Sequence, residues 1–296
     1  MYYLYGKEMN ITIIGGGAIG LLLAASLENN NEVSVLVKPE RYEQFNEKGL
    51  WIIEGDVKRK INAKVVTQIS NPDVVIIAVK GYDLEKTRKI LSDFRGKVIV
   101  CQNGLKMLDF KLPNNNEIFA IVTSVGAESM ENGVTKFKGT GNTLLGKLQN
   151  VKCVDQKLLK LFSTDYFEIS HVNDIKNYIW LKAVINSAIN PVASYYNLKN
   201  GELKKEQYWN LVKDILAEST RIANSNNIIF NEDPLSLAQE IIEKTANNIC
   251  SMLQDVKKMR KTEINEINGI LIKIGNKNNA RTQLNSEYLK KIEAIS

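Results

Sequence analysis

Lys182, Asn186 and Asn190 recur every fourth residue within Tyr178–Asn190, a stretch that is apolar at almost every other position. That spacing puts the three polar side chains on one face of a helix. A helix so apolar is expected to be buried, and a polar row on it must find partners. A lysine in that setting carries a costly charge, its pKa is expected to fall, and it can then donate a proton near neutral pH. A structural role, with the row bonded to neighbouring loops, is the alternative.

A second set of residues could do chemistry through the backbone. Gly15, Gly17 and Gly20 fill a G-x-G-x-x-G spacing between the β-branched run Ile11–Ile14 and the Ala/Leu-rich segment Ala18–Leu27. The whole stretch Gly15, Gly16, Gly17, Ala18, Ile19 and Gly20 reads as the turn of a strand–turn–helix unit that binds a dinucleotide. The first glycine allows the sharp turn, the second lets a pyrophosphate approach the backbone, and the third lets helix and strand pack closely. The helix N-terminus offers N–H groups to the phosphates. About 20 residues on, an NAD-preferring fold places Asp or Glu at the end of the second strand. Here Lys38 stands there, with Arg41 nearby, which suits a 2′-phosphate and favours NADPH/NADP. Glu40 keeps NAD open, and a pair of solvated surface cations is the plainer alternative.

These residues need a scaffold, and the pattern supplies one. Asp73–Val79 and Lys97–Cys101 are continuous apolar runs, as in parallel strands covered on both faces. Ligands of open α/β sheets lie beyond the carboxyl ends of the strands, so Lys80 and Asn103 are placed to touch cofactor or substrate. Residues 49–66 read as a hairpin-like insertion turning at Glu54-Gly55-Asp56. Glu117–Ser124 reads as a strand, and Gly133, Gly139, Gly141 and Gly146 as turns between short strands. A short helix over Gln156–Phe162 and a strand over Tyr166–His171 complete the first part. After Asn173 the period becomes helical, which divides the chain into domains 1–172 and 173–296. Pro191 is expected to end or kink its helix at Asn190. Asn200–Leu203 reads as a turn into another helix, and Leu235–Lys258 as one long helix. Thr262 reads as an N-cap, with Glu263 in the first turn of the final helix.

The totals restrict the function classes. The chain has 296 residues, 44% hydrophobic and 24% charged, which is globular. No apolar run reaches the roughly 18 residues of a membrane span. The net charge of +6 is spread too widely to indicate nucleic acid. Cys101, Cys153 and Cys250 form no C-x-x-C pair, and the single His171, expected to pack at the domain boundary, excludes a His-rich metal site; no metal is expected. Residues Met1–Glu8 lack the apolar core of a signal peptide and read as an extension ahead of Met9. A cytoplasmic location is the simplest expectation.

Taken together, several segments resemble the ketopantoate reductase (2-dehydropantoate 2-reductase) family over nearly the whole chain. They are Gly15–Gly20, Val79-Lys80-Gly81-Tyr82-Asp83, Gln102-Asn103-Gly104, Gly126-Ala127, Trp180-Leu181-Lys182 with Asn186 and Asn190-Pro191, Asn200–Leu203, Ser251–Asp255, and Thr262-Glu263-Ile264-Asn265 with Asn268-Gly269. The resemblance implies a Rossmann-type, doubly wound α/β domain followed by an all-α domain. It implies NADPH-dependent reduction of a 2-keto acid to a 2-hydroxy acid, on the route to pantothenate and coenzyme A. By the same resemblance Lys182 is the general acid, with Glu263 near it and near the cofactor. Asn103 touches cofactor and substrate, while Asn186, Asn190, Asn200 and Ser251 hold the substrate. Lys80 and Ala127 line the cofactor site, and Lys38 replaces a frequent arginine at the 2′-phosphate. Met259, Lys261 and Gln283 depart from the family pattern in loops. Two other readings remain: a related reductase of another keto or imino acid, and a non-catalytic NADP(H)-binding module. The oligomeric state is not given by the sequence; a homodimer is one option.

Overall fold

The Ile- and Val-rich runs of the first half become strands buried on both faces, and the helices between them cover those faces. A computed structural model describes residues 8–114, 116–130, 133–149 and 156–296; residues 1–7 of the extension Met1–Glu8, and Cys153, lie outside the described residues. The contacts divide the chain into two compact units, Met1–Gln102 with Asp109–Ile175, and Asn103–Leu108 with Lys176–Ser296.

In the first unit the order is β1 (Asn10–Ile14), α1 (Ala18–Leu27), β2 (Glu32–Leu36), α2 (Pro39–Lys48), β3 (Leu50–Glu54), β4 (Val57–Ile61), β5 (Lys64–Val66), β6 (Val74–Ile77), α3 (Leu84–Ile90), β7 (Lys97–Cys101), β8 (Glu117–Thr123), β9 (Gly126–Ser129), β10 (Val134–Gly139), β11 (Gly141–Gln149), α4 (Gln156–Phe162) and β12 (Phe167–His171). The main sheet runs β12-β11-β8-β7-β6-β1-β2-β5. From β5 to β8 every pairing is parallel; β11 is antiparallel to β8 and parallel to β12. The chain winds outward from β1 through β2 to β5, then returns to the other side of β1 at β6. That reversal is the switch point where a doubly wound sheet opens a crevice for ligands.

A second sheet, β4-β3-β10-β9, lies against α1. This explains why α1 buries Gly20, Leu21 to Ala25 and Leu27 rather than one stripe: it is covered on opposite sides by two sheets. Arg59 on β4 fastens the small sheet to the C-terminal end of α1. Its guanidinium donates to Glu28 at 2.5 Å, to Glu54 at 3.1 Å, to the Tyr166 hydroxyl at 2.8 Å and to the Ala25 carbonyl at 3.3 Å. The hairpin turns at Glu54-Gly55-Asp56 as expected, but Lys64–Val66 leaves it to become the edge strand of the main sheet. Gly146 marks no turn. It lies inside β11, where a Cβ would come within 2.4 Å of the Ile175 Cβ. His171, expected to pack, is exposed at the end of the edge strand β12.

The second unit is helical: α5 (Ile175–Tyr195, its first residue belonging to the first unit), α6 (Glu206–Ser225), α7 (Pro234–Lys244), α8 (Ser251–Lys257), α9 (Ile264–Lys277) and α10 (Gln283–Glu293), with a 3-10 turn at Asn200–Lys204. The architecture is therefore a doubly wound α/β unit and an all-α unit. No helix among the described residues is long and apolar enough to cross a membrane.

Two expectations about helix ends are corrected, and of the two outcomes expected at Pro191, an end or a kink, the first is not met. Pro191 does not end α5, which runs on to Tyr195. A proline has no N–H for the carbonyl four residues back, which here is that of Ser187. The Asn268 side-chain amide donates to that carbonyl at 2.9 Å, so the gap in the ladder is filled from α9. The long helix over Leu235–Lys258 is two helices. The connector is held by the 3-10 turn, where Asn200 N–H donates to Asn248 O at 2.9 Å and Gly201 N–H to Ala246 O at 3.0 Å. Glu263, not Thr262, is the N-cap residue of α9, and α9 is followed by α10.

Candidate active site

In the first unit, the loop after β1 separates glycines that the fold needs from one that it does not. Gly15 has φ +120°, and a Cβ there would lie 2.7 Å from the Ala78 carbonyl oxygen. At Gly20 a Cβ would lie 1.9 Å from the Gly15 carbonyl oxygen, and at Gly16 it would lie 2.7 Å from Phe45 Cε1. Gly17 is different. Its φ of −89° suits any residue, and a Cβ would meet no atom within 4 Å. Gly17 is also the N-cap of α1 and offers no side-chain cap. The space over it and the N–H groups of Ala18, Ile19 and Gly20 fit a pyrophosphate laid on a helix N-terminus.

Around this loop stand the other first-unit residues expected in the site. Lys38 is the N-cap residue of α2, which begins with Pro39, and its Nζ lies 3.4 Å from Asp83 Oδ2. Arg41 stacks on the Phe45 ring at 4.4 Å. Lys80 follows β6, and its backbone is braced by Gln102, whose amide donates to the Val79 carbonyl at 2.8 Å and the Lys80 carbonyl at 3.5 Å. Ala127 sits half-buried on β9 opposite Phe137 of β10. Asp83 was named with the family segment but given no role. Burial works against its charge, yet hydrogen bonding to Lys86 and the nearby Lys38 outweigh that and hold its carboxyl below the usual carboxylate range.

In the second unit Asn190, Ser251, Met252, Asp255, Glu263 and Ile267 line a narrow crevice. Asn190 comes from α5 and is 5% exposed; Lys182 and Asn186, on the same helix face, are half-buried. Ser251 opens α8. Its position follows from Cys250, the N-cap residue, whose sulfur accepts from Leu253 N–H at 3.4 Å and donates to the Asn190 carbonyl at 3.7 Å. Burial pushes the Cys250 thiol up, so it keeps its proton for that bond. Glu263, 5% exposed, stands at the N-terminus of α9, where a helix favours negative charge.

Asn103 reaches the same place by an arrangement that the sequence concealed. Residues 103–108 belong to the helical unit. Gly104, with φ +83°, allows the segment to close on α9, since a Cβ there would lie 2.5 Å from the Glu266 carbonyl oxygen. Lys106 pairs with the buried Glu266 carboxylate at 3.2 Å, and Asn103 Nδ2 donates to Glu263 at 3.4 Å. Asn200 lies apart from the crevice lining. Its amide donates to Thr245 Oγ1 at 2.8 Å, while its buried Oδ1 has no hydrogen-bond partner among the described residues. Sequence reasoning gave no role to Asp255, Cys250 or the Lys106–Glu266 pair; only the Ser251–Asp255 segment carried a signal for the first.

The chain thus joins a doubly wound sheet with a glycine-lined helix N-terminus to a helical unit with a carboxylate- and amide-lined crevice. Similar proteins make the assignment specific. The family description "Ketopantoate reductase PanE/ApbA" matches residues 11–150, and "Ketopantoate reductase PanE/ApbA C terminal" matches residues 174–295. The chain is 33% identical over 288 residues to a 2-dehydropantoate 2-reductase of Pyrococcus horikoshii, covering 94% of each chain. It is 30% identical over 283 residues to that of Pyrococcus abyssi, again with 94% of each covered. Among solved structures, a probable 2-dehydropantoate 2-reductase of Bacillus subtilis superposes with a TM-score of 0.82 at 24% identity, covering 97% of this chain and 99% of that one. A D-mandelate dehydrogenase in complex with NADH superposes with a TM-score of 0.85 at 24% identity, covering 96% and 97%. This chain belongs to the ketopantoate reductase family.

Proposed function

We propose that the protein reduces a 2-keto acid to the 2-hydroxy acid with NADPH, and that 2-dehydropantoate is the substrate. The observation that carries the reading is the meeting of Asn190, Ser251 and Glu263 in one crevice, with Asn103 bonded to Glu263. Residues 1–172 hold the nucleotide through Gly15–Gly20, Lys38, Lys80 and Ala127, and residues 173–296 hold the substrate and the proton donor. When bound, the nicotinamide supplies a hydride for the carbonyl carbon. Lys182 supplies the rest: its ammonium stabilises the negative charge growing on the carbonyl oxygen and then transfers a proton to it. Asn186 and Asn190 fix the substrate on the same helix face, Ser251 and Asn200 take its hydroxyl and carboxylate groups, and Glu263 with Asn103 borders both cofactor and substrate. The buried cysteines Cys101 and Cys250 suit a reducing cytoplasm. Assembly as a homodimer belongs to the same proposal and is read by light scattering.

The test follows NADPH absorbance with 2-dehydropantoate and a panel of other 2-keto acids. Oxidation with 2-dehydropantoate at the highest kcat/KM is expected. A higher kcat/KM with another acid changes the substrate; NADPH binding with no oxidation by any of them makes the protein a binding module instead.

A further inference from the structure

The end of β2 carries a cation where an NAD-preferring fold carries an acid. The sheet supplies an acid there from another strand. Asp83 follows β6, Lys38 follows β2, and β1 with its glycine loop lies between them. The Lys38–Asp83 ion pair at 3.4 Å therefore spans from one flank of the glycine loop to the other. The two partners are unlike. The Lys38 side chain is 56% exposed and free to swing, whereas that of Asp83 is 15% exposed and fixed at the head of α3. Asp83 also pairs with Lys86, so it keeps a counter-charge when Lys38 turns away.

We infer that Asp83 is a specificity-determining residue, competing with a 2′-phosphate for Lys38 and accepting a hydrogen bond from a 2′-hydroxyl. The inference rests on the NADPH reading of Lys38. A phosphate that engages Lys38 has to draw it away from a carboxylate. A ribose bearing only a 2′-hydroxyl faces no such competition and finds an acceptor. The protein therefore discriminates between the two nicotinamide dinucleotides less sharply than a lone cation at Lys38 would make it do.

Calorimetry with adenosine 2′,5′-bisphosphate and with 5′-AMP tests this without turnover, on the wild type, Asp83→Asn, Lys38→Ala and the double variant, each checked for an unchanged melting temperature. Partly exposed charge pairs are weak, so Asp83→Asn is expected to tighten the bisphosphate by about threefold to fivefold. It should not tighten 5′-AMP. Lys38→Ala should bring the bisphosphate near the affinity of 5′-AMP, and the gain from Asp83→Asn should vanish without Lys38. NADPH and NADH dissociation constants should follow the same order. No gain from Asp83→Asn, an equal gain for both ligands, or a gain that survives Lys38→Ala overturns the role of Asp83 alone. A wild type that binds the two ligands equally, and is indifferent to Lys38→Ala, overturns the NADPH reading and this inference with it.

Discussion

Under the proposed function, the first unit offers a ligand its backbone between Gly15 and Gly20; in the crevice of the second unit, Asn190, Ser251 and Glu263 offer side chains from three separate helices. A backbone cradle needs only a turn, a helix N-terminus and the absence of a side chain, so a few consecutive residues encode it. A side-chain site needs each group carried in by its own element and each element held in place. In the second unit Cys250 holds the start of α8 against Asn190, and Lys106 holds Asn103 on α9. Substitutions should therefore separate binding from folding in the first region and separate chemistry from positioning in the second.

The largest effect is expected at Lys182. Lys182→Ala should lower turnover by about 10²- to 10⁴-fold, the range for losing a positioned acid, while circular dichroism and melting temperature stay near wild type. Turnover within a few-fold of wild type removes Lys182 from the mechanism and leaves the polar row of α5 structural.

Two roles in the glycine loop come next. Gly20→Ala places a Cβ 1.9 Å from the Gly15 carbonyl oxygen, and overpacking of that kind costs about 1–3 kcal/mol or more. Denaturant melts should show it. Gly17→Ala meets nothing in the protein and should leave the melt unchanged. A methyl intruding on a bound pyrophosphate faces the same kind of clash, so NADPH affinity should drop about tenfold to a hundredfold. If Gly17→Ala binds NADPH like the wild type, the pyrophosphate does not lie over Gly17.

Much of the first unit was legible because its signals are local. The apolar runs ending at Val79 and Cys101 read as covered strands, the first of which stops at Ile77, and the all-round apolar α1 follows once two sheets enclose it. What could not be read depends on partners remote in sequence. The periodicity from Leu235 onward runs through the connector without a strong breaker, and the break at Thr245 is imposed by the backbone of Asn200 and Gly201. Pro191 is a breaker that the fold tolerates because Asn268 serves the carbonyl of Ser187. Asp83 sits in an ordinary helix-start sequence, and only the strand order reveals that it faces Lys38. The roles of Asn200, Ser251 and Glu263 came through family resemblance, since one residue on each element has no period to read.

The tolerance of Pro191 gives a thermodynamic cycle. Asn268→Ala removes donors from the Ser187 carbonyl and from Asn285 Oδ1, each at 2.9 Å, and should cost about 1–3 kcal/mol in a urea melt. Pro191→Ala returns an N–H to the same carbonyl. Asn268→Ala should therefore cost less in the Pro191→Ala background, with a coupling of about 0.5–1.5 kcal/mol. Additive losses would mean that Asn268 contributes through packing alone.

The smallest effect tests positioning in the crevice. Lys106 is 34% exposed at the side chain and Glu266 is 5% exposed, so Lys106→Met leaves a buried carboxylate without its cation. Solvent at the lysine end limits the loss to about 1 kcal/mol. The consequence for activity passes through Asn103, which the 103–108 segment presents to Glu263. Neither Lys106 nor Glu266 lines the crevice, so a purely structural pair would lower stability and leave kcat and KM alone. A positioning pair moves KM for the keto acid by a few-fold with little change in kcat, and Lys106→Arg restores it by keeping the charge. A stability loss with unchanged KM would show that Asn103 holds its place by the turn at Gly104 alone.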